Sequence, residues 1–171
     1  MTKGKVYKLS KLEQQVVELV AHARHDNKVS TNWDGHRTVN KESNVDLNIA
    51  GFGGEFIFCR ENNVMPDFSI GNTSKVIGSD NYDCWWNYHS VDVKVNRNPD
   101  NPLMVPTYAK THCDIFVLFS CKYPKYRFEG YATNSMLFKV DNVKQTIVPA
   151  YVVDKSELLS HLEMLNKIEN G

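Results

Sequence analysis

The sequence predicts an α/β domain in which helices flank a central sheet. Three observations predict it. Helical periodicity marks both ends of the chain, a third helical run lies in the first half, and the most apolar run, Asp114–Ser120, is strand-length. At 171 residues, 42% of them hydrophobic, the chain is long enough for one domain with a real core. No apolar run reaches membrane-spanning length, and no apolar stretch follows the basic residues at the start, so neither a membrane span nor a signal peptide is expected. Four cysteines (Cys59, Cys84, Cys113 and Cys121) are widely spaced in apolar surroundings, which predicts free buried thiols and an intracellular, cytoplasmic protein. Twenty basic and twenty acidic residues cancel, so any basic surface must be local.

Taken in order, Leu9–Arg24 predicts the first helix. Leu12, Val16, Leu19, Val20 and Ala23 recur at helical spacing, and Ser10 with Glu13 offers a capping box. Asp26–Asn48 is polar and predicts a long loop. Its basic residues Lys28, Arg37 and Lys41, with Arg24 before it, are candidate phosphate contacts, although each alone is equally a solvated side chain. Ile49–Asn62 predicts a buried helix opening through Gly51, Gly53 and Gly54, with Glu55 the odd acid in an apolar run. The glycines do not make a phosphate loop, because no GxxxxGK[ST] pattern is present. Asn63–Asn81 is turn-rich.

Tyr82–Trp86 and Val91–Val95 predict two short strands joined by a polar turn over Asn87–Ser90. Alternation sends Val91, Val93 and Val95 to one face and Asp92 and Lys94 to the other, with Asp83 on the neighbouring strand. Two carboxylates and an ammonium on one surface can hold a divalent metal and steer a water. An isolated Asp-Val-Lys is more often an exposed ion pair. Trp85 and Trp86 take opposite faces, one for the core and one free to stack on a base or on the protein itself. His89, in the turn near Asp92, is a candidate substrate contact.

Asn96–Pro106 carries three prolines and predicts irregular structure. Asp114–Ser120 predicts a central strand paired with Tyr126–Tyr131 across a turn at Lys122–Lys125. Ala132–Phe138 predicts a helical turn capped by Thr133, and Thr146–Val153 an extended piece. The last helix is expected from Asp154, with Glu157 completing a capping box and Leu158, Leu162, Leu165 and Ile168 as its stripe.

The order Gly51-Phe-Gly-Gly-Glu55, Asp83, Asp92-Val93-Lys94, Asp114-Ile-Phe-Val-Leu118 and Gly130-Tyr-Ala-Thr133 resembles the PD-(D/E)xK nuclease superfamily, especially its small phage and prokaryotic members. The resemblance covers about residues 51–138, with helices 9–24 and 154–168 as extensions of one domain. It implies the restriction-endonuclease-like fold, a mixed central sheet flanked by helices. It also implies a divalent-metal-dependent DNA endonuclease, resolvase-like or restriction-like, of phage or mobile-element origin. Asp83, Asp92 and the Val93 carbonyl would then hold Mg²⁺ or Mn²⁺, Glu55 would bind a second metal or orient a metal-bound water, and Lys94 would activate the attacking water or stabilise charge on the phosphate. The partner would be DNA, with a homodimer cutting both strands. In the family the Asp92 position is often Glu. The literal Pro66-Asp67 pair also fits the motif's name, but Pro-Asp is an ordinary turn dipeptide, and Asp83 lies a hairpin away from Asp92. Two rival readings are a DNA-binding or scaffolding protein that keeps the fold without catalysis, and a zinc hydrolase using the cysteines and histidines. No metal-ligand spacing supports the second.

Overall fold

The computed structural model describes residues 1–30, 44–70, 82–109 and 113–170. Along the chain lie β1 (Val6–Lys8), α1 (Lys11–Ser30), α2 (Asn44–Glu61), β2 (Cys84–Trp86), β3 (His89–Asn96) and β4 (Leu103–Pro106). There follow β5 (Ile115–Lys122), β6 (Lys125–Thr133), α3 (Asn134–Leu137), β7 (Val143–Lys144), β8 (Ala150–Val153) and α4 (His161–Glu169).

The main sheet has the order β1-β6-β5-β3-β2. Strands β3 and β5 are parallel, in register from Val91↔Ile115 to Asn96↔Ser120, and the other pairs are antiparallel. The sheet is therefore mixed, as expected. Its middle strand β5 is buried from Ile115 to Cys121, which is why that run carries no polar alternation. Ile115, Val117 and Phe119 face a core shared with Val17 and Val20 of α1, Phe52, Ile57 and Phe58 of α2, and Met164 of α4. Phe116 and Leu118 face a second core with Leu103, Val105, Leu137 and Val153. Helices thus cover one face. The other is covered by α3 and a small antiparallel sheet of order β4-β8-β7. Among the described residues no helix is long and apolar enough to cross a membrane.

Several boundaries differ from expectation, each for a local reason. Helix α1 runs on to Ser30, since no glycine or proline stops it after Arg24. Its capping box forms as expected, Ser10 N–H donating to Glu13 (2.6 Å) and Glu13 N–H to Ser10 Oγ (3.3 Å). Its buried stripe is Val17, Val20 and Ala21, whereas Leu12 and Leu19 are exposed. The apolar periodicity was broad enough to admit two phases, and packing against α2 selects the one with smaller side chains. Helix α2 starts earlier, at Asn44, with Asp46 in the first turn where an acid suits the helix dipole. Leu103–Pro106 is a strand despite its proline, because β4 is an edge strand and Pro106 sits at its end. Helix α4 starts at His161 and not at Asp154. Two acid-spaced capping patterns lie in tandem, and the full reciprocal box forms at Ser160 and Glu163, leaving Asp154–Glu157 as a turn. Leu158 is buried ahead of the helix and Leu162 is exposed, so Met164 carries the contact.

Candidate functional site

Strands β2 and β3 form the expected hairpin, but its connection is only two residues. Asn87 (φ 47°) and Tyr88 (φ 65°) both take the left-handed conformation that a tight two-residue hairpin turn requires. Trp86 points inward and stacks on Tyr131 (centroids 5.6 Å) and His161 (5.4 Å). Trp85, opposite Ser90, points the other way. Alternation along β3 sends Val91 and Val93 into the helix-covered core, and Asp92 and Lys94 to the face that Phe116 and Leu118 share.

Asp92 is not on a solvated surface: it is 6% exposed. Its Oδ2 lies 2.7 Å from Lys94 Nζ. Asp83, just ahead of β2, donates its N–H to the Val91 carbonyl (2.7 Å), and its carboxylate accepts the Val93 N–H (2.6 Å). Glu55 comes from α2, which is drawn onto β3 because Gly54 leaves no side chain. A Cβ there would collide with Val95 Cγ2. Glu55 accepts from Arg24 Nη1 at 3.2 Å.

The electrostatics join these three acids. Burial pushes the Asp83 carboxyl well above the usual range, and the charges of Glu55 and Asp92 push it further, against the Val93 N–H and Lys94. Burial likewise raises Glu55. Arg24 pulls it back, while Asp92 and Asp67 add to the rise. Burial alone would lower the Lys94 ammonium, but the charge and hydrogen bond of Asp92, with Asp83, hold it above its ordinary value. Helix α2, the lead into β2, and β3 therefore bring Glu55, Asp83, Asp92 and Lys94 into one electrostatic neighbourhood.

The oxygen chemistry of the three carboxylates suits a hard divalent cation. Among the described residues, however, no group of three His, Cys, Asp or Glu side chains is arranged to hold a metal. Each acid is engaged elsewhere: Asp92 with Lys94, Asp83 with Val93, and Glu55 with Arg24. Val93 contributes its N–H to this arrangement. Asp67 behaves as a turn residue, its Oδ1 accepting the Ser69 N–H at 2.8 Å. That bond, with a side-chain bond from Ser69 and the charge of Arg24, outweighs burial and holds Asp67 below its usual value.

The remaining candidates separate. Arg24 is committed to Glu55 and to the carbonyls of Asp67 (2.7 Å) and Ser69 (3.1 Å), so it fastens a turn to the site. Arg37, Lys41 and the side chain of Lys28 lie outside the described residues. His89 falls on the Val side of β3, away from the Asp92 side chain, with Nδ1 2.6 Å from the Asn87 carbonyl. It lines a cleft of about 230 Å³ with Asp114, Thr133, Ser135 and Lys167. All four cysteines are buried and unlinked. A hydrogen bond with Cys59 and then burial push the Cys84 thiol up, the reverse of what a metal-binding thiolate needs.

Sequence reasoning missed two polar clusters. Ser90 donates its N–H (2.9 Å) and Oγ–H (2.8 Å) to Asp114 Oδ2, bracing β3 against β5. Glu129, buried on β6, accepts from Ser120, from Arg127 (2.8 Å) and from Lys155 (3.1 Å). An acid inside the apolar run Phe128–Tyr131 was the available signal for it. Comparison with protein-family models, curated proteins and solved structures finds no significant match to this chain.

Proposed function

We propose that the chain is a divalent-metal-dependent DNA endonuclease with a restriction-endonuclease-like fold, built for phage or mobile-element DNA processing. One observation carries the reading: three carboxylates and a lysine from three separate elements share one neighbourhood, Asp92 buried and the others half-buried, and their charges perturb one another. Such crowding costs stability and is characteristic of functional sites. The parallel β3–β5 pair and helix α2 seated on β3 are compatible with that fold.

In this reading Asp83, Asp92 and Glu55, with the Val93 carbonyl, would hold Mg²⁺ or Mn²⁺. The ion would supply Lewis acidity at the phosphate and a more acidic bound water. Lys94, kept charged by Asp92, stabilises the negative charge that develops on the phosphoryl oxygens. Glu55 would bind a second ion or orient the metal-bound water. For that, its bond to Arg24 must open.

The test is incubation of purified protein with supercoiled plasmid and branched DNA in Mg²⁺, Mn²⁺ or EDTA. Cleavage with metal, none in EDTA, and loss in Asp92→Ala and Lys94→Ala is expected. DNA binding by wild type and both variants with no cleavage in either metal would favour a non-catalytic DNA-binding or scaffolding protein.

A further inference from the structure

The side of the hairpin that carries Asp92 and Lys94 also carries an aromatic pair that no core absorbs. Trp85 is 54% exposed and Tyr82 is 40% exposed. Their rings meet edge to face at 5.3 Å, so each holds the other in place. Strand β2 is the last strand of its sheet, and Tyr88 at the hairpin tip is 98% exposed. Trp85 is paired with Ser90, which lies two residues from Asp92 on the same face. Two residues of strand advance about 7 Å, within the reach of one nucleotide.

Charge points to the occupant. Duplex binding rests mainly on cations meeting phosphates. This chain has formally no net charge, and among the described residues the cations at the site, Arg24 and Lys94, are paired with Glu55 and Asp92. Stacking on an aromatic ring needs no net charge, but it requires a free base face, which a continuous duplex hides.

We propose that Trp85, steadied by Tyr82, is a stacking platform for an unpaired base next to the scissile phosphate. The preferred substrate is then DNA with single-stranded character: a flap, a bulge, a junction or a free strand. The inference rests on the nuclease reading for its account of why a strand lies there. Its test is chosen to be independent of cleavage.

Fluorescence anisotropy in EDTA would compare a labelled single strand, a blunt duplex of the same sequence and the same duplex with an internal bulge. Wild type is expected to bind the single strand and the bulged duplex more tightly than the blunt duplex. Trp85→Ala should weaken the first two about tenfold and leave the blunt duplex unchanged. Trp85→Phe, which keeps a ring, should retain most of the affinity, and unchanged melting temperatures would show that both variants fold. Equal affinity of wild type for all three DNAs, or unchanged single-strand binding by Trp85→Ala, would overturn the proposal. So would conversion of a wild-type dimer to a monomer by Trp85→Ala with DNA binding intact, which would make the aromatic pair a protein interface. The two readings fail differently. Trp85-dependent single-strand binding without cleavage in any metal would sink the nuclease and keep the platform. Metal-dependent cleavage of every DNA form, unaffected by Trp85→Ala, would do the opposite.

Discussion

Asp83→Asn is expected to make the protein more stable at neutral pH while removing the proposed activity. The Asn side-chain oxygen can still accept the Val93 N–H, which Asp83 now takes at 2.6 Å. What disappears is a half-buried negative charge that feels Glu55 and Asp92, countered by Lys94. At an effective dielectric of about 20, unit charges sharing a site interact by on the order of 1–4 kcal/mol. Two such repulsions less one attraction leave a gain of about 2 kcal/mol on removing the charge. The sign with pH follows from the raised folded-state value. Asp83 contributes its full stability below the unfolded carboxyl value of about 3.9 and loses it as pH rises through the higher folded value. The variant has no such loss, so its advantage should be absent in acid and grow toward neutrality. Chemical denaturation across that range, in EDTA, measures it. A variant less stable than wild type at neutral pH, or an advantage that does not change with pH, would refute the idea that the carboxylates repel one another.

Gly53→Ala should lose about 2 kcal/mol in the same assay, because the new Cβ would strike the hydroxyl of the buried Tyr126 and sit 2.8 Å from its Cζ. Gly51→Ala, on the same helix with open space around it, should instead gain up to about 1 kcal/mol from helix propensity. Lys155→Met should lose about 1–2 kcal/mol, since it strips one cation from buried Glu129. Hydrogen bonds from Ser120, Arg127 and Lys155 overcome burial and hold Glu129 below its usual value. Their stabilisation is present above the unfolded carboxyl range and lost as pH falls through the folded value, so the Lys155→Met defect should fade below about pH 4.

The parts of the fold that the residues made legible are those with a single dominant signal. The unbroken apolar run of β5, the Ser10–Glu13 box and the Thr133 cap each had one reading, and each is present. Elsewhere tertiary packing overruled the local pattern. Leu12 and Leu19, expected in the buried stripe of α1, are exposed while Val17 is buried, and α4 starts at the Ser160–Glu163 box and not at the expected Asp154–Glu157 one. Leu103–Pro106 was obscured because a proline forbids only an inner strand. At the candidate site, alternation on β3 correctly separated Asp92 and Lys94 from the valines. It could not reveal that Asp92 is buried, that Arg24 reaches Glu55 from another helix, or that Asp83 leans on the Val93 N–H. Those are contacts between residues distant in sequence or made through the backbone, which leave no local pattern.

The claim that Glu55, Asp83 and Asp92 form one cation centre is tested most directly by an anomalous difference map from crystals soaked in Mn²⁺. The expected result is a peak between the Asp83 and Asp92 carboxylates, at roughly 2.0–2.3 Å from their oxygens, with the Asp83–Val93 bond loosened. A peak at Asp67, or none at the hairpin under conditions that support DNA cleavage, would contradict it.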